Sequence, residues 1–163
     1  MADVDRGIEA AGGAIVGRDG GTHRCDQLLR HQLADAAATS AAGHAPAAGF
    51  AALRRTDVQL AQLRGLVDRM DAETDPAEWV RLDAEFHLAI AAASGNGVFA
   101  AVVGELRDAL SQQSKMINKL SKRQQASGVE HRVILDAIAD GSYEGAANAM
   151  SDHLRIVEST VVS

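Results

Sequence analysis

The chain has 163 residues, a formal net charge of −6 and a pI near 5.4, with hydrophobic residues at 47% but aromatics at only 3%. That is the length of one ordinary domain. So few aromatics exclude most all-β sandwiches and barrels, and the acidic balance has the wrong sign for a chain whose main task is gripping phosphate backbones. The 32 alanines and 2 prolines favour helices, because Ala, Leu, Arg, Gln and Glu lose little entropy on entering one. Cys25 stands alone and cannot form an intramolecular disulfide, so a reducing, cytoplasmic location is expected. The N-terminus is acidic rather than signal-like, and no run approaches the roughly 18 apolar residues of a membrane span, so no membrane role is expected.

Residues 1–22 carry Gly7, Gly12, Gly13, Gly17, Gly20 and Gly21 without an apolar period and read as a flexible head, leaving 23–163 as the folded domain. A first helix is predicted over 26–42, with Leu28, Leu29, Leu33, Ala36 and Ala37 on one face and a break at Gly43, Pro46 and Gly49. Thr56 is a natural N-cap for a second helix, whose Leu60, Leu63, Val67 and Met70 repeat at helical spacing. The third start is the clearest: Asp75 to cap, Pro76 in the first turn and Glu78 in the third position, as in a capping box. That helix carries Trp79, Leu82, Phe86 and Ile90 to Ser94, where Gly95-Asn96-Gly97 ends it. A long helix from Val98 to about Gln125 follows, with Gly128 separating it from one bearing His131, Ile134, Leu135 and Ile138. Asp140-Gly141 turns the chain and Ser142 caps a last helix with Ala146, Met150, His153 and Val157 on one stripe. The expected fold is all-α, an antiparallel bundle of six to seven helices.

Six histidines stand at 23, 31, 44, 87, 131 and 153, and two follow an Asp four residues earlier: Asp19–His23 and Asp83–His87. On a helix that spacing puts both side chains on one face, able to grip one ion. Asp19–His23 lies in the glycine-rich head, so the spacing also arises by chance. Asp83 and His87 instead adjoin the apolar stripe of Leu82, Phe86 and Ile90, and His131 and His153 sit on or beside the stripes of two later helices. Singly, each reads as a core histidine satisfied by a hydrogen bond. Together, one carboxylate and three imidazoles pointing inward from three helices form a metal set, suited to zinc first and also to Ni, Co, Mn or Fe(II).

The string from Asp83 through Phe86-His87 to Ser94 and Asn96 resembles the D-x-x-F-H signature of the FCD domain, the effector-binding helical domain of FadR-type regulators in the GntR family. Glu130-His131 through Ile134, Ala137, Ile138 and Gly141 resembles its second motif, and Ala146 or Ala147 with Met150, His153 and Leu154 its ending. The resemblance spans about residues 56–160. It implies a metal at Asp83, His87, His131 and His153 that anchors a small carboxylate effector, and a homodimer whose operator affinity responds to that effector. It implies no enzymatic role. The family places a winged helix-turn-helix before this domain. The 22-residue head is too short to hold one, so no direct nucleic-acid contact is expected of this chain. The family's first helix often supplies an arginine to the ligand carboxylate, and Arg30 is the nearest candidate, against the plainer reading of a solvated helix-face charge.

Two other readings compete with sensing. A metal-dependent hydrolase or lyase would need a general base, for which Glu85 and Glu130 are the candidates, although Glu85 lies two residues from both Asp83 and His87 and so on another face. A metal-stapled interaction domain would need a coordinatively closed site. The cluster Lys115, Lys119, Lys122 and Arg123 reads as a solvated helix end complementing the helix dipole. A ligand space walled mostly by Ala, Leu and Ile is expected, which favours a small acid over a stacked ligand.

Overall fold

The computed structural model describes residues 43–111 and 122–162, and among these the chain forms six helices and no strand. The predicted head, the first helix over 26–42, Cys25, Arg30 and the Asp19–His23 pair lie outside the described residues. In chain order the helices are α1 over 43–54, α2 Asp57–Ala72, α3 Pro76–Ala93, α4 Gly97–Ser111, α5 Gln124–Ala139 and α6 Tyr143–Val162. Helix α2 packs on α3 and α5, α3 on α4, and α5 on α6. The all-α bundle expected from composition and periodicity is the observed class.

The local signals explain where the helices start and stop. Thr56 and Gln59 form a reciprocal capping box: the Gln59 amide donates to the Thr56 hydroxyl at 3.2 Å, and the Thr56 amide donates to the Gln59 side chain at 2.9 Å. Such a cap stabilises a helix by about 1 kcal/mol. Asp75 caps α3 by accepting from the Glu78 amide at 2.8 Å, with Pro76 in the first turn, where its missing N–H costs nothing. The expected box is not closed by Glu78, whose carboxylate pairs with Arg81. Glu73 accepts from the Asp75 amide instead, at 2.8 Å. Gly95 takes φ +68 beyond α3, and Gly141 takes φ +72 between α5 and α6, conformations that side chains with a Cβ rarely adopt. Two arginines following the buried part of α1 reach the carbonyl ends of other helices. Arg54 donates to Ser94 O at 3.0 Å and Arg55 to Ala139 O at 2.9 Å. Each answers an orphan carbonyl of a helix end.

Two boundaries differ from expectation, each because packing outweighs propensity. Residues 43–54 are helical through Gly43, Pro46 and Gly49 rather than broken there. Ala47, Ala48 and Ala51 are fully buried in this stretch, and a Cβ on Gly49 would stand 2.6 Å from the Tyr143 ring of α6. The small residues that look like breakers let α1 press against its neighbours. Gly128 is likewise inside α5 rather than before it. A Cβ there would stand 3.2 Å from the Asp71 carboxylate of α2, so the glycine admits a close approach of two helices. Helix α4 is described to Ser111 and α5 starts at Gln124 after a turn at 122–123; the stretch between, 112–121, which the helix expected from Val98 to about Gln125 would include, lies outside the described residues.

The core runs between the stripes read from the sequence. Leu63, Met70, Leu82, Phe86, Ile90, Ile134, Ile138 and Met150 are almost completely buried. Among the described residues, no helix is long and apolar enough to cross a membrane. At the centre of this apolar core lies a polar cluster.

Candidate metal centre

Asp83 and His87 are one turn apart on α3, His131 lies on α5 and His153 on α6. All four are buried, with Asp83 5% exposed and His131 not exposed at all. Their inward direction follows from the helical period: Leu82, Phe86 and Ile90 turn one face of α3 into the core, and Asp83 and His87 sit beside that stripe. The α5 stripe of Ile134 and Ile138 carries His131 inward, and the α6 stripe of Ala146 and Met150 carries His153.

One donor atom from each of the four lies within 4.8 Å of every other. Donors bound to one ion at about 2.0–2.1 Å can be at most about 4.2 Å apart, so a small contraction brings the set into coordination distance. Asp83 Oδ1 is 3.2 Å from His131 Nε2 and 3.7 Å from His87 Nε2. The His131 and His153 rings are 4.8 Å apart between centroids, His87 and His153 5.3 Å, and His87 and His131 5.6 Å. Both ring nitrogens of His131 are buried without a hydrogen bond. Protonating the rings would balance Asp83, but it would set several cations against each other in a dry core. A divalent ion answers the carboxylate and the imidazole lone pairs at once, so these residues fit a metal.

The immediate surroundings were only partly foreseen. Phe86 packs on His131 at 4.9 Å, and the Trp79 ring lies nearly parallel to it at 6.3 Å and 18°. The expected wall of Ala, Leu and Ile is therefore aromatic on the His131 side. A fourth imidazole, His44 of α1, is 2% exposed and meets His87 edge-on at 5.2 Å. It stands outside the four-donor set and gives no periodic signal, because its neighbours Gly43, Ala45 and Pro46 read as a helix break.

Glu130 of α5 crosses to α6, where its carboxylate lies 2.6 Å from His153 Nδ1, while its other oxygen accepts from Arg123 at 2.6 Å. Burial pushes the Glu130 carboxyl up, but the His153 hydrogen bond and the charges of His153 and Arg123 outweigh it and hold the group below the ordinary carboxylate range. For His153, burial dominates and lowers its proton affinity despite the Glu130 contact. Arg123 is thus not the solvated helix-end charge expected of it: it is held against α5 by Glu130 and Ser127. Lys115 and Lys119 lie outside the described residues. Glu85 turns away from the cluster, as its position predicts, and pairs with Arg81 on the surface.

Residues 27–156 match the FCD domain family. The chain is 33% identical over 114 residues to the HTH-type transcriptional repressor NanR of Salmonella newport (strain SL254), a match covering 68% of this chain and 44% of that protein. The repressor of the same description from Salmonella typhi gives the same identity, with 43% of its length covered. Among solved structures, Streptococcus agalactiae GntR superposes with a TM-score of 0.66 at 26% identity, covering 88% of this chain and 62% of that one. The chain spans less than half the length of the curated relatives it matches.

Proposed function

This chain belongs to the FCD domain family, and from that premise we propose that it is the ligand-sensing part of a GntR-type transcriptional regulator, taking a small organic acid through a divalent metal. Asp83, His87, His131 and His153 would hold the ion. The observation that carries this reading is the convergence of one carboxylate and three imidazoles in a mainly apolar core. If the ion is six-coordinate and Asp83 gives one oxygen, two positions remain for a chelating carboxylate. Zinc is the first choice of ion, with Ni, Co, Mn and Fe(II) also suited to these donors. The relatives named as transcriptional repressors support a regulatory output, and a homodimer in the cytoplasm is the setting we infer for it. The reading also draws support from Glu130. A hydrolase or lyase would need a free base beside the metal, and Glu130 is held on both oxygens by His153 and Arg123.

The test is a thermal-shift screen of small organic acids on the metal-loaded chain, repeated with chelator, alongside elemental analysis. A cognate acid at a hundred times its Kd contributes about 2.7 kcal/mol, which raises Tm by roughly 5–10 °C for a chain of this size. The shift is expected with metal and absent with chelator. A shift indifferent to chelator, or a chain that carries no metal, overturns the reading, and turnover of a screened acid replaces it with the enzyme.

A further inference from the structure

Four residues converge on the site, but only some of what holds them in place is obvious. His153 comes from α6, the last helix, and must present one ring nitrogen to a centre built mainly by α3 and α5. A neutral imidazole carries its proton on either nitrogen, and the two tautomers present different donor atoms. Left to itself, the ring would divide between them.

We propose that Glu130, clamped by Arg123, is the positioning residue that fixes His153 as an Nε2 donor to the metal. The inference rests on the reading that the four residues hold an ion. Its geometry is explicit: Nδ1 of His153 lies 2.6 Å from Glu130 Oε2, and Glu130 Oε1 accepts from Arg123 Nη2 at 2.6 Å. A carboxylate in contact with a guanidinium is an acceptor only, so the ring proton must sit on Nδ1. The lone pair is then on Nε2, the nitrogen on the opposite side of the ring from Glu130. The same hydrogen bond stops the ring from rotating and strengthens its donor nitrogen, the usual effect of a carboxylate behind a metal-binding histidine.

The placement of the clamp follows from the helix. Glu130 and His131 are neighbours in sequence and therefore project about 100° apart on α5. His131 enters the core, while Glu130 reaches sideways across the interface with α6. Arg123 precedes α5 by one residue and lies seven residues before Glu130, two turns away on the same face. Its second contact, to Ser127 Oγ at 3.3 Å, ties the guanidinium to the intervening turn. Both members are shielded, with the Arg123 side chain only 10% exposed, so the pair is not a loose surface ion bridge. His131 is held differently: the carboxylate beside its Nε2, Asp83 at 3.2 Å, is itself one of the four donors, and Phe86 and Trp79 pack against the ring.

The test uses the full chain with Glu130→Ala and Glu130→Gln, each checked for wild-type helix content. Zinc affinity is measured by competition with a chelator, and the His153 tautomer by nitrogen-15 chemical shifts of the imidazole in the zinc-free and zinc-loaded states. Glu130→Ala is expected to weaken zinc binding by about 10–100-fold and to shift zinc-free His153 from a single Nδ1-protonated form to a mixture. Glu130→Gln retains an acceptor and is expected to lose less affinity than Glu130→Ala. Wild-type zinc affinity in both variants, with the His153 tautomer unchanged, overturns the proposal and leaves the metal reading standing. A wild-type chain that takes up no zinc overturns both.

Discussion

His131→Ala is expected to strip the metal from the chain. His131 is fully buried, its Nε2 is 3.2 Å from Asp83, and neither of its ring nitrogens has a hydrogen bond to fall back on. Removing it leaves three donors and a core carboxylate short of one partner. Metal bound at a hundred times its Kd contributes about 2.7 kcal/mol to stability, so its loss lowers Tm by roughly 5–10 °C. The ion's share of the difference from wild type should disappear when both proteins are measured in chelator, leaving only the cost of the cavity where the buried ring stood. Full metal occupancy of the variant by elemental analysis, with Tm unchanged, would sink the assignment of this residue.

Phe86→Ala should produce a fall of similar or larger size with the opposite signature. Phe86 is fully buried among the core residues and lies 4.9 Å from the His131 ring and 5.8 Å from the His87 ring. Truncating a buried Phe costs about 3–5 kcal/mol through lost transfer energy and an unfilled cavity. That corresponds to a drop in Tm of roughly 6–20 °C. The drop persists in chelator, since the packing is lost whether or not an ion is bound. Comparing the two variants with and without chelator therefore separates coordination from packing at adjacent positions. A Phe86→Ala protein whose Tm falls only when metal is present would show that the ring acts through the ion.

How far the sequence reaches can be judged from particular residues. The stripes Leu60, Leu63, Val67, Met70 and Trp79, Leu82, Phe86, Ile90 are buried as their period predicts, because a helix face repeats every 3.6 residues wherever it packs. The caps at Thr56, Asp75 and Ser142 are local chemistry and appear where they are read. The convergence of Asp83, His87, His131 and His153 was also legible, since each adjoins such a stripe. What escapes is set by neighbours distant in sequence. Gly49 reads as a breaker, but its meaning depends on Tyr143, and that of Gly128 on Asp71. His44 lies in the same stretch of small residues, and only the packing of α1 brings it to His87. Arg123 reads as one of a run of solvated cations. Only the α5–α6 interface reveals that it serves Glu130, and through it His153.

The chain carries one tryptophan, and it is Trp79, lying nearly parallel to the His131 ring at 6.3 Å. Its emission is therefore a built-in reporter of the neighbouring cluster. Zinc has a filled d shell and no redox chemistry, so it should leave the fluorescence yield little changed. Open-shell ions such as Co(II), Ni(II) or Cu(II) offer electronic states that quench a nearby indole. Titrating each ion into the unlabelled protein would then read occupancy and distinguish classes of metal in one optical measurement.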